Sequence, residues 1–106
     1  MAASTTIKLG MIKTYRPTPM EITGILLTPD LNSLVELLAE NAHDTWASMR
    51  IADGWQYGSE RNDVDLLHPC LVSYNQFSEQ EKEYDRRMVD GTVRAIIALG
   101  FEVRRP

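Results

Sequence analysis

Residues 38–58 read Leu38-Ala-Glu-Asn-Ala-His-Asp-Thr-Trp-Ala-Ser-Met-Arg-Ile-Ala-Asp-Gly-Trp-Gln-Tyr-Gly58, and this stretch decides the fold. It holds both tryptophans, one of the two histidines, an arginine and a glycine stop. Its apolar spacing predicts a helix from about Leu31 to Asp53, capped near Asp30 and closed at Gly54. At helical steps Leu31, Leu34, Val35, Leu38, Ala39, Ala42, Trp46 and Met49 share one broad apolar arc, with Glu36, Glu40, Asp44 and Ser48 opposite. Trp46 lies at the margin of that arc, and His43 and Arg50 lie just past it. The three are neighbours on the helix surface, because spacings of three and four residues stack side chains. An indole flanked by a guanidinium is a ledge where a planar, anionic molecule can stack and be neutralised. From spacing alone the structural reading is favoured: Trp46 fills core and Arg50 caps the last carbonyls.

Upstream, Pro17, Pro19 and Pro29 oppose regular helix before Leu31, and Glu21 to Leu27 has the aliphatic content of one short strand. Downstream, Gly54 and Gly58 offer the positive φ angles of a tight exit. Trp55 is expected to fold back as a lid on the core, with Tyr57 as a second anchor. Arg61 reads as a solvated loop charge. His68-Pro-Cys70 introduces a short strand, Cys70 to Tyr74. His43, His68 and Cys70 repeat no metal-ligand spacing, and Cys70 beside Pro69 reads as a small packed residue rather than a nucleophile.

Ser78-Glu-Gln-Glu81 is a capping box that opens a second helix, expected to reach Leu99 and stop at Gly100. Its apolar arc contains Tyr84, Met88, Thr92, Ala95, Ile96 and Leu99, widened by Val89, Val93 and Ile97. Asp85 falls inside this arc. A carboxylate there needs a partner, for which Arg50, an indole N–H or Tyr57 is expected. The fold class is therefore α+β, mainly helical. Two long antiparallel helices are expected, with a few short flanking strands, one of them formed by Phe101 to Arg104.

One domain fits 106 residues with 43% hydrophobic content. A net charge of −4, with both signs intermixed, argues against nucleic-acid or anionic-membrane partners. No apolar run approaches the roughly 20 residues that cross a bilayer. A single cysteine, Cys70, fits a reducing compartment, so a cytoplasmic protein is expected.

Taken together, Tyr15-Arg-Pro-Thr-Pro19, the 38–58 run, Arg61-Asn-Asp63, His68-Pro-Cys-Leu-Val-Ser-Tyr74, Ser78-Glu-Gln-Glu-Lys82, Asp85-Arg86 and Ala98-Leu-Gly-Phe101 resemble, in order, the repeat domain of ryanodine receptors. The resemblance implies an N-terminal arm over 1–14 and a single repeat domain over 15–106. In the receptors the repeats come in tandem and hold an adenine nucleotide between them. There the helix tryptophan stacks on the base, while the helix arginine and the arginine after Tyr-Gly-x-x contact phosphate. Those positions match Trp46, Arg50 and Arg61, and His43, beside them on the helix, is expected as a fourth ligand-binding residue. The resemblance thus implies a non-catalytic module for an adenine nucleotide or related small anionic molecule, without cofactor or metal. A second copy of the chain is expected to replace the missing repeat, giving a homodimer. The competing reading is an assembly module whose signature residues only stabilise the fold. An enzyme ranks third, because no paired acids, phosphate loop or nucleophile–base pair appears.

Overall fold

The computed structural model describes residues 14–106, so the arm expected over 1–14 lies outside the described residues except for Thr14. Helix α1 spans Pro29–Ala52 and helix α2 spans Glu79–Ala98. Between them lie two short strands, β1 (Gln56–Tyr57) and β2 (Leu67–His68), and a 3-10 turn at Tyr74–Gln76. The class is mainly helical α+β.

Both helix ends follow from local chemistry. The cap of α1 is Thr28 rather than Asp30: the Thr28 hydroxyl accepts from the Leu31 N–H at 3.2 Å. Pro29 then takes the first helical position, where its fixed φ fits and its missing N–H is not needed. In α2, Ser78 Oγ accepts from Glu81 N and Glu81 Oε1 from Ser78 N, completing the capping box. Each helix ends on a left-handed glycine, Gly54 at φ +95° and Gly100 at φ +101°. Trp55 N–H donates to Arg50 O and Gly54 N–H to Ile51 O; Phe101 and Gly100 repeat this with Ile96 and Ile97. These are Schellman motifs, which fold the residue after the glycine back onto the last full turn.

The strands differ from expectation. Residues 21–27 form no strand: a turn over 22–25 bends around Gly24, at φ +88°, closed by Ile25 N–H to Ile22 O. Residues 70–74 lead into the 3-10 turn, and 101–104 have no regular structure. Aliphatic content makes a strand only where a partner edge exists. The pairing that does form is parallel, Gln56 opposite Leu67 and Tyr57 opposite His68. Gly58 serves close approach, not positive φ: a Cβ there would stand 2.6 Å from the Leu67 Cβ. The chain from β1 to β2 turns at Asn62, whose backbone pairs both ways with Leu67. Its side-chain Oδ1 accepts from the Val64 and Asp65 N–H groups.

The core is small. Leu31, Ala39, Trp55 and Tyr74 are its buried apolar members, with His43 as its buried polar one. In α1 the buried stripe thus passes through Leu31, Ala39 and His43, whereas Leu38 and Met49 are exposed, so the inward face is rotated from the expected arc. In α2 no residue is fully buried; Val89, Val93 and Ile97 are half-buried, whereas Tyr84 and Met88 are 71% and 75% exposed.

Polar ties join the pieces. Arg86 donates to Glu36 of α1 at 2.6 Å and to Glu79 at 3.0 Å, with Glu83 at 3.6 Å. Arg94 pairs with Asp90 at 2.8 Å and reaches the Ile25 carbonyl, holding the 22–25 turn against α2. The hydrogen bond from Arg86 holds both Glu36 and Glu79 below their ordinary value of 4.5. A carboxylate depressed in the fold contributes stability that is complete above its unfolded value and lost as pH falls through its folded one. Thermal melts are therefore expected to drop as pH falls below 4.5. Arg86→Gln, less stable at neutral pH, should lose less on the same acidification.

Gly91 sits inside α2 with nothing within 4 Å of the position its Cβ would occupy. Gly91→Ala is therefore expected to stabilise by about 0.5–1 kcal/mol, through backbone entropy alone. A denaturant midpoint that falls instead of rising would reveal a contact to that face.

Candidate functional site

The Schellman turn at Gly54 builds the centre of the site. Folding back from the glycine, Trp55 returns onto Arg50, whose guanidinium carbon lies 4.6 Å from the Trp55 ring centre. Trp46 precedes Arg50 by one helical turn, and the same carbon is 5.6 Å from its ring. Arg50 therefore lies between the two indoles. From the loop after β1, Arg61 brings its guanidinium to 5.9 Å from the Trp55 ring. Trp46, Arg50 and Arg61 thus come together, but Arg61 arrives at Trp55 rather than at Trp46.

Arg50 and Arg61 differ in engagement. Arg61 is doubly bonded to Asp63, Nε to Oδ1 at 2.8 Å and Nη2 to Oδ2 at 3.4 Å. That pairing raises the Arg61 guanidinium and holds the Asp63 carboxyl below the usual range. Among the described residues Arg50 has no carboxylate at ion-pair distance.

His68, on β2, joins the halves. Its ring meets Trp46 edge-on at 4.9 Å and Trp55 at 6.1 Å. Its Nδ1 accepts from the Cys70 backbone N–H at 3.0 Å, so the neutral ring carries its proton on Nε2. Burial, then the positive charges of Arg61 and Arg50, hold His68 below its ordinary value. Sequence reading gave His68 no role, since only tertiary folding brings it between two tryptophans.

His43 is a structural pin. It is 5% exposed, and its Nε2 donates to the Val72 carbonyl at 2.7 Å, because a carbonyl can only accept. Around it stand Phe77 at 4.7 Å, Trp46 at 5.7 Å and Tyr74 at 6.3 Å. Trp55, 9% exposed, is part of the buried core. Tyr57 does not anchor by its side chain, which is exposed; its backbone registers β1 against His68. The partner expected for Asp85 is also absent: no described residue hydrogen-bonds or pairs with its carboxylate. A two-residue turn of sheet carries Tyr57 outward, and the indoles engage Arg50 instead.

On the other side of Trp46 opens a cleft of about 370 Å³, lined by Trp46, His68, Cys70, Phe77, Tyr84 and Asp85 among others. Burial first, and then the Glu81 and Asp85 carboxylates, push the Cys70 thiol up, away from the thiolate a nucleophile needs. No helix among the described residues is long and apolar enough to cross a membrane.

Each of these parts belongs to one continuous pattern. The family model for the RyR domain matches residues 15–105, from the segment ahead of α1 past the end of α2, and the chain belongs to the RyR domain family.

Proposed function

We propose that this chain is a non-catalytic ligand-binding module for an adenine nucleotide or nucleotide-derived metabolite, working as a cytoplasmic homodimer. The carrying observation is Arg50, an arginine without an ion-pair partner among the described residues, set against two indoles, one of which, Trp46, also lines an open cleft. A guanidinium stacked on an aromatic face keeps its N–H fork at the rim, the geometry that phosphate recognition uses. Arg61 is a second phosphate contact that exchanges part of its bond to Asp63 for the ligand. Trp46 supplies the stacking surface.

The two helices are taken as antiparallel, and the order of their contacts supports this. Glu36 meets Arg86, near the middle of α2. Later in α1, Ala42 and Trp46 share the cleft with Glu81 and Asp85, nearer the start of α2. The homodimer is supported by the absence of any fully buried residue in α2 and by the exposed Tyr84 and Met88. Sedimentation equilibrium should show twice the 12.0 kDa chain mass, and a purely monomeric species removes the dimer.

Calorimetric titration with ATP, ADP, AMP and adenosine tests the ligand. Phosphorylated ligands should bind tighter than adenosine, with a salt dependence that adenosine lacks. Trp46→Ala should weaken all four by about 1–3 kcal/mol. Arg50→Lys should weaken only the phosphorylated three, since lysine keeps charge but loses the planar fork. Equal affinity for adenosine and ATP takes the arginines out of the site. With no binding at all, the assembly-module reading, favoured by the same exposed face of α2, stands instead.

A further inference from the structure

The surroundings of Trp46 are chemically two-ended. Toward Trp55 lie the guanidinium groups of Arg50 and Arg61. In the cleft lie two carboxylates, Glu81 and Asp85, one helical turn apart on α2. Like charges at that spacing repel, and α2 places both against the same cavity. Glu81 is engaged by the Ser78 N–H at 2.9 Å, as its capping role requires. Asp85 is half-buried, and no described residue donates to it. Its arginine neighbour Arg86 is taken by Glu36 and Glu79. A carboxylate in a partly desolvated cleft without a donor is costly unless an occupant supplies one.

The walls define that occupant. Trp46, Phe77 and Tyr84 offer aromatic surface, which suits a flat ring better than a spherical ion. A volume of about 370 Å³ lies at the small end of ligand pockets, enough for a nucleoside. A ring with N–H donors on its edge and an anionic tail satisfies both ends at once: donors at Asp85, stacking at Trp46, tail at Arg50.

We propose that Asp85 is a specificity-determining residue that accepts a hydrogen bond from the exocyclic amino group of the bound base, so that the site selects amino-bearing bases over keto bases. This rests on the nucleotide reading above and adds the base edge to it. A keto oxygen in the same place faces the carboxylate acceptor to acceptor, which loses the hydrogen bond and adds repulsion.

The test compares AMP, IMP and N6,N6-dimethyl-AMP by calorimetric titration against the full chain. AMP should bind at least about tenfold tighter than either of the others. IMP lacks the amino group, and the dimethylated base keeps the nitrogen but has no hydrogen to donate. Asp85→Asn, whose amide both donates and accepts, should bring AMP and IMP within about threefold of each other. Its melting temperature is checked alongside; if the variant does not fold, the three wild-type affinities decide alone. Equal wild-type affinities, or a full AMP preference surviving in folded Asp85→Asn, overturn the assignment of Asp85 and leave nucleotide binding standing. Failure of all three probes to bind removes both readings together.

Discussion

Replacing Trp55 with alanine is expected to destabilise the fold by about 3–5 kcal/mol, the range for truncating a buried tryptophan. The indole is buried and is among the few large buried apolar side chains of the described residues. It is also the residue on which the exit from α1 closes: its N–H donates to Arg50 O, and its ring takes the Arg50 guanidinium on one side and His68 on another. Truncation keeps the backbone bond and empties the space. With total stabilities of about 5–15 kcal/mol for domains of this kind, such a loss approaches unfolding. Trp55→Phe restores part of the volume and should recover part of the loss. Urea denaturation of the three proteins measures this, and a change below about 1 kcal/mol would show that the indole covers solvent rather than core.

Why this residue was legible in advance, and others were not, follows from the range of the forces involved. The ends of both helices were readable because caps are local. Ser78 and Glu81 bond to each other's backbone, and Gly54 and Gly100 each take the left-handed angle that a side chain resists. The start of α1 falls two residues before the Leu31 that the sequence suggests, because Pro29 reads as a helix breaker from the left although at the first helical position it fits. The strands are illegible for the opposite reason: their pairing is not local. Whether Gln56–Tyr57 pairs with Leu67–His68 depends on a turn at Asn62 and on the space that Gly58 leaves for Leu67, not on β-propensity. The same holds for the site. Trp46 and Arg50 were visible as helical neighbours, whereas His68 enters between the indoles only through that strand pairing. Asp85 was visible as a carboxylate out of place, but no periodicity could tell whether a partner would meet it.

The exposed stripe on α2 has a related cause. A pattern of apolar residues specifies that a surface is to be covered, not by what. Val89, Val93 and Ile97 are half-buried in the single chain, while Tyr84 and Met88 are left outward. Tyr84 also lines the cleft beside Trp46, so a second copy covering this face would narrow the mouth of the proposed site. Binding and dimerisation, if both occur there, are then expected to be linked, each changing the other by the same factor.

His43→Ala is expected to cost about 3 kcal/mol, through two separable losses. The first is the hydrogen bond from Nε2 to the Val72 carbonyl at 2.7 Å, which ties α1 to the segment ahead of the 3-10 turn across 29 residues of sequence. The second is the ring itself, packed by Phe77, Trp46 and Tyr74. His43→Phe separates them. Phenylalanine keeps an aromatic ring of similar size and removes the donor, leaving a partly buried carbonyl unsatisfied at about 1–3 kcal/mol. If packing dominates, His43→Phe stays close to wild type while His43→Ala falls; if the hydrogen bond dominates, the two variants fall together. Because Trp46 rests on this ring, His43→Ala should also weaken nucleotide binding, whereas a ligand-contacting histidine would weaken it in both variants without the parallel loss of stability. Denaturant midpoints and AMP titrations on the same samples separate the pin from the contact. Unchanged stability in His43→Ala would mean that the ring is not the link between α1 and the Val72 segment.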